Sequence, residues 1–519
     1  MDKDHRSGIR FESGVGFARE YTMDLALFRS AKSLWDLLVL ASLLLMMYPA
    51  LLAFVSIAYH VSLSRPNDGW EAALIAEGWR ASNYIPVYEP HEIGHATLIY
   101  GPAEPFVLGW LFKVFGPIKL VPQLLSVGAA LCVVLINWAM LRPFLSLVHQ
   151  CLAILSLISI EGRVHYFAEG RPDLLAWAFA FAGLFISVYG CQNKWNGGYI
   201  IGGALITVGV CFKQTTAMLT AVPPIAILVC GRLHAALLPF LFSLTPLVFV
   251  GTFFLCIYLF VPDLYYYMVV IPRSYPVSVK VWLKEIWTFL AGATSLWFGL
   301  ACVLIAVRRF GVSSFELRWR QQACWVGVMF VVALLASAFT AAKPGATVNS
   351  LIPAWFSLAT FSWLLLAPVL ASSQKTTRGL EGSLTFVSAL VVLLTILPVP
   401  KSLHYNMRYW DHTNNDYAEV ISRVKTLRGT VLSPEDPTIT LYARGEINRS
   451  IFIEYDALGW PSAIPEFLLN ELAQADYIVH ANWGPREIIR ADDLAGLGFE
   501  LDWNNDHYAI WKASAVRHP

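Results

Sequence analysis

Asp68 and Glu71 stand three residues apart in Asn67-Asp68-Gly69-Trp70-Glu71, just beyond the first long apolar stretch of the chain. A carboxylate at a membrane edge is costly to desolvate, so it is a candidate for chemistry before it is one for folding. Asp68 is the first choice for general-base work, taking a proton from an incoming hydroxyl or amine. A second polar group follows in Glu89-Pro90-His91-Glu92-Ile93-Gly94-His95, leading to Tyr100-Gly101-Pro102. His91 and His95 are four apart with Glu92 between them, and on a helix they would share a face that could hold a divalent cation. Pro90 and Gly94 interrupt such a helix, which leaves a loop contacting sugar or phosphate, and a solvated linker, as the other readings. Further on come Arg171-Pro172-Asp173, Lys213-Gln214, and Lys343 with Asn349. Each basic residue alone fits a side chain snorkelling to the headgroups.

The elements that must position these residues follow from composition. The chain has 519 residues, of which 57% are hydrophobic and 14% charged. Apolar runs of roughly 18 residues or more can satisfy their own backbone groups in lipid only as helices. The apolar runs fall at 35–59, 118–141, 147–164, 172–190, 198–212, 216–230, 234–261, 287–307, 323–341, 349–370 and 382–399, and the two shortest, within 198–230, are read either as separate helices or as one interrupted span. The fold class predicted is an all-α polytopic membrane protein of about 11 transmembrane helices. A net charge of +1 gives no reason to expect a nucleic-acid partner. The eight cysteines lie between Cys132 and Cys324 in or beside apolar runs, without a CxxC pair. They read as small packing residues rather than disulfides or metal ligands. The first apolar run reads as a retained signal anchor.

Residues 1–33 are polar and basic and are expected in the cytoplasm; 34–399 form the membrane domain, with a large first external loop at 62–117. Arg142, Lys194, Arg232, Arg308, Arg309 and Arg378 then fall on the cytoplasmic side, as the positive-inside rule requires. Within the external loop, Trp70, Ala73, Leu74 and Glu77 mark an amphipathic helix expected to lie along the interface. Residues 400–519 read as a small extracytoplasmic α/β domain. Helices are predicted near Tyr417–Leu427 and Ile464–Gln474, and strands at Thr430–Leu432, Thr438–Tyr442, Tyr477–His480 and His507–Trp511.

That topology puts the carboxylates, histidines and basic residues of several distant segments on one side of the membrane. Arg171, Lys213 and Lys343 sit where Lys and Arg are normally depleted, so they call for a local anion, and a lipid-linked phosphate fits guanidinium and ammonium donors. The combination suggests group transfer from a membrane-soluble phosphate carrier to an external acceptor. A flippase or transporter of lipid-linked sugars would place its ionisable groups near the midplane and show internal repeats. A non-catalytic envelope assembly protein would leave the loop 62–117 unexplained.

In order and spacing these residues resemble the polyprenyl-phosphate-dependent glycosyltransferases of the GT-C superfold, in particular the protein mannosyltransferase and aminoarabinose transferase group. The resemblance covers roughly residues 35–370 and rests on Asp68, Tyr100-Gly101-Pro102, Phe115-Gly116, Arg171-Pro172-Asp173, Lys213-Gln214-Thr215, and Gly345 with Asn349 and Pro353. It implies a plasma-membrane enzyme that uses a polyprenyl-phosphate sugar donor and an extracytoplasmic acceptor of the glycan, lipid or protein class. It implies Asp68 as the base, transfer with inversion, and Arg171, Lys213 and Lys343 around the leaving phosphate. Where the family pattern often carries a second acid directly after the Asp, this chain has Gly69, with Glu71 as the next carboxylate. The remaining substrate-side candidates are Glu89, His91, Glu92, His95, Tyr100, Asp173, Gln214 and Asn349.

Overall fold

The computed structural model describes residues 34–91, 97–158, 164–230, 237–310, 317–343, 348–376, 385–387, 389, 414–458, 464–481 and 488–514. Among them, six helices are long and apolar enough to cross a bilayer: Leu37–Ser62, Leu120–Phe144, Pro172–Gln192, Leu237–Phe260, Leu317–Ala341 and Asn349–Leu370. Leu147–Ile158, Gly197–Phe212 and Gln214–Cys230 are shorter apolar helices. The expected single span at 287–307 is instead part of two helices, Val279–Gly292 and Thr294–Ile305, bent by 63°. The break falls at Ala293, whose backbone (φ −80°, ψ 57°) leaves the helical region after Gly292. Most of the last predicted run, 382–399, lies outside the described residues.

The helices close around a large apolar core that includes Trp177, Phe181, Trp325, Phe356 and Trp363, with a second cluster around Phe289, Phe330 and Leu358. Two of the cysteines are not simple packing residues. Cys230 and Cys324 form a disulfide with Cα atoms 6.5 Å apart, tying the end of Val222–Cys230 to the start of Leu317–Ala341. Their separation of 94 residues in sequence explains why no local pattern announced the bond.

The helix Gly69–Ser82 forms as expected, but it is packed into the protein rather than presenting one open face. It is buried from Gly69 through Gly78 and again at Arg80. One side packs on Ala103–Phe115 and another on the C-terminal domain. Its polar face is covered because each charge meets another: Arg80 Nε lies 3.8 Å from Glu77, and Arg80 also donates to Glu89. Burial pushes the Glu77 carboxyl up to about 7, although Arg80 and Arg449 pull it down. The folded chain therefore keeps this proton between 4.5 and 7, where the unfolded chain loses it. Stability should fall as pH rises through that window and level off above it. Glu77→Gln is expected to flatten the fall, checked by thermal midpoints in detergent at about pH 5 and about pH 8. An unchanged slope in the variant would place the dependence elsewhere.

The C-terminal domain carries a four-stranded sheet in the order β1-β2-β4-β3, with β1 (Val431–Leu432), β2 (Tyr477–Ala481), β3 (Phe499–Asn504) and β4 (Tyr508–Ala513). β1 runs parallel to β2, and the other pairs are antiparallel. Thr438–Tyr442, expected as a strand, is helical within Pro437–Arg444. Asp436 accepts from the Thr438 amide at 3.1 Å, Pro437 starts the helix, and Gly445 ends it in a left-handed conformation. A cap, an N-terminal proline and a terminal glycine outweigh the alternating pattern between them.

Candidate active site

Asp68 sits where the loop after the first long helix turns into Gly69–Ser82. Its backbone is extended (φ −156°, ψ 177°), and its Oδ1 accepts from the Glu71 amide at 2.9 Å. Its Oδ2 accepts from the Arg171 guanidinium. Arg171 caps Pro172–Gln192 in an extended conformation, and its Nε also stands 2.8 Å from Glu169. Asn67 Nδ2 donates to the Ala168 carbonyl at 3.0 Å. Two loops a hundred residues apart are thus tied together, and the tie fixes Asp68 against Arg171. The Arg171 and Glu169 side chains are 10% and 7% exposed, whereas that of Asp68 is 31% exposed. Asp68 is the reachable carboxylate of the row.

Glu71 is placed differently. It is fully buried, its Oε2 accepts from the Asn67 amide at 2.6 Å, and burial pushes its carboxyl up to about 7 against the pull of Lys119. It supports the Asp68 turn from behind through the Asn67 amide.

Lys213 ends Gly197–Phe212 and donates to Asp173 at 2.5 Å, a pair with side chains 9% and 7% exposed. Its ammonium also lies 5.2 Å from the centre of the Tyr100 ring. The Tyr100 segment is held by the chain itself: the Tyr88 hydroxyl donates to the Tyr100 carbonyl at 2.8 Å, and Gln214 Nε2 to the Ile99 carbonyl at 2.9 Å. Gly101 then passes so close to the Cys211 carbonyl that a Cβ would overlap it. Only glycine fits this crossing. Behind it, Glu104 is buried, and burial with the nearby Asp173 charge raises its carboxyl well above the ordinary range.

A cleft of about 240 Å³, open mouth included, is lined by Asp173, Trp177, Lys213, Thr215, Ser337 and Ser350, among others. Lys343 lies one turn beyond Thr340, which also borders it. The Lys343 ammonium donates to the Pro272 carbonyl at 2.7 Å and lies 5.9 Å from the Tyr275 ring centre and 5.3 Å from that of Phe339. Burial lowers its pKa from the ordinary lysine value. Among the described residues no carboxylate pairs with it, whereas Arg171 has two and Lys213 one. Asn349 is buried in the turn Val348–Leu351 beside Ser350.

The other loop candidates are engaged elsewhere. Glu89 accepts from both Arg80 and Arg449; burial alone would raise its carboxyl, but the two guanidiniums outweigh that and hold it low. His91 Nδ1 lies 2.8 Å from Asp263, and its ring stacks on Tyr266 with centres 4.3 Å apart. Glu92 and His95 lie outside the described residues. Among the described residues no three His, Cys, Asp or Glu side chains gather as a metal site would require. Sequence reasoning passed over Glu169, although it stands two residues before Arg171. It also passed over Tyr275, Phe452 and Asp456, for which the sequence carries no local signal.

No protein-family model matches the chain, and no curated protein matches its sequence. Solved structures do match. ArnT from Cupriavidus metallidurans in the apo state superposes with a TM-score of 0.60 at 12% identity, covering 92% of this chain and 98% of that one. ArnT from the same organism bound to undecaprenyl phosphate gives 0.58 over the same shares, also at 12% identity. The chain has the GT-C fold, with six or seven candidate membrane spans among the described residues against the eleven expected, and the small C-terminal sheet.

Proposed function

We propose that this chain is an integral-membrane glycosyltransferase that moves a sugar from a polyprenyl-phosphate donor to an extracytoplasmic acceptor, with Asp68 as general base. The observation that carries the reading is the Asp68 carboxylate itself. It is oriented by the Glu71 amide and Arg171, yet it stays partly exposed while its neighbours Arg171 and Glu169 are nearly buried. An ArnT of the same fold binds undecaprenyl phosphate, which supports the donor class.

In this reaction Asp68 takes the proton from an acceptor hydroxyl or amine as that atom attacks the anomeric carbon. The bond from that carbon to the phosphate oxygen breaks on the opposite face, the electron pair stays on the phosphate, and the configuration inverts. Arg171 and Lys213 were expected to meet the phosphate directly. In this reading their carboxylate partners give them a positioning part, holding Asp68 and Asp173 in place. Lys343, with carbonyl and aromatic neighbours, is the better phosphate ligand. Moving a solvated ammonium out of water is costly, and an incoming phosphate would restore the lost interaction.

The reading is tested with membranes containing the protein, a radiolabelled polyprenyl-phosphate sugar and a panel of acceptors. Lys343→Ala is expected to weaken donor binding by about tenfold or more, the scale of one charge-assisted contact, and to leave folding intact. If donor affinity were unchanged in Lys343→Ala, the phosphate would lie elsewhere.

A further inference from the structure

The helix Ile451–Ala457 of the C-terminal domain reaches back to the turn that carries Asp68. The Phe452 ring fills the space that a Cβ on Gly69 would need, and it lies 6.2 Å from the Trp70 ring, which in turn lies 6.0 Å from Tyr100. At the far end of the same helix, the Asp456 carbonyl accepts from the Tyr275 hydroxyl, and Tyr275 is the ring beside Lys343. The Asp456 carboxylate acts on both Tyr100 and Tyr275. Arg449, just before the helix, is bonded to Glu89 of the first external loop. Seven residues of a separate domain therefore touch the Asp68 turn at one end and the surroundings of Lys343 at the other.

We propose that the C-terminal domain is a working part of the transfer site, with Phe452 as a positioning residue that holds the Asp68 turn through Gly69 and Trp70. The proposal rests on the reading of Asp68 as the base. It also accounts for Gly69. The position after the Asp cannot carry a side chain here, because the space belongs to Phe452. No left-handed backbone requires glycine at 69, and alanine is the better helix former, so the ring, which holds the three nearest atoms, is the first obstacle to a methyl group there.

The test uses the full chain in detergent and in proteoliposomes. Gly69→Ala, Phe452→Ala and the double variant are compared by turnover and by hydrogen exchange of the peptide containing Glu71, whose amide is bonded to Asp68. Phe452→Leu is added as a variant that keeps apolar contact while withdrawing the ring. Either single alanine variant should speed exchange in that peptide and lower turnover by up to about 100-fold, the cost of a small misplacement of a reacting group. The double variant should be no worse than Phe452→Ala alone, because both changes break one contact. Phe452→Leu should fall between wild type and Phe452→Ala. Effects that multiply in the double variant, or Phe452→Ala within twofold of wild type in both readouts, would overturn the proposal. Failure of the Asp68 reading looks different: Asp68→Asn would then transfer at the wild-type rate while the exchange coupling persisted.

Discussion

Asp68→Asn should transfer sugar about 10²- to 10⁴-fold more slowly than wild type, the range that a positioned general base contributes. The substitution is sharp because it spares the structure. An asparagine side chain can still accept from the Glu71 amide, and asparagine caps a helix as well as aspartate does. What it cannot do is take a proton or carry the charge that faces Arg171. Asp68→Ala should lose a similar amount of activity but also the cap, at about 1 kcal/mol of stability. Initial rates in proteoliposomes, alongside thermal midpoints of the same preparations, separate the two effects. Equal activity in Asp68→Asn and wild type would remove Asp68 from the chemistry.

Lys213→Met should be the most damaging change to stability near the site. Lys213 and Asp173 are both nearly buried and bonded at 2.5 Å. Removing the ammonium leaves the Asp173 charge unpaired, close to Glu104, at a cost of about 3–5 kcal/mol. Adding Asp173→Asn should return much of that loss, since a buried pair replaced on both sides costs far less than one broken on one side. Thermal unfolding of the two single variants and the double variant in detergent gives the coupling. Additive losses would mean that the two side chains do not stabilise each other.

Much of the site was legible because its residues come in compact runs at helix ends. Asp68, Arg171, Asp173 and Lys213 were each found beside an apolar span, and the fold joins them into two adjoining ion pairs. Glu71 was expected beside Asp68 in the chemistry, and the fold buries it for a local reason. The third residue after a helix cap lies beneath the turn that precedes it, so its carboxylate supports that turn rather than facing outward. The spacing of His91 and His95 around Glu92 suggested a cation, but Asp263 and Arg449, which engage His91 and Glu89, lie far enough along the chain to leave no spacing signal. Phe452 is more remote still. Its contact with Gly69 joins segments nearly four hundred residues apart, and nothing in either segment names the other. The glycine itself was visible as a departure from the family pattern, and its reason became clear only in three dimensions.

Release of polyprenyl phosphate from a labelled polyprenyl-phosphate sugar tests the central claim most directly. Purified wild-type protein and Asp68→Asn are reconstituted side by side with donor and acceptor, and labelled sugar and lipid are followed together. The expected result is that wild type moves the label to the acceptor with one lipid phosphate freed per sugar, while Asp68→Asn leaves the donor intact. Lipid-linked sugar that crosses the vesicle membrane undivided, with no free lipid phosphate in either preparation, would contradict it.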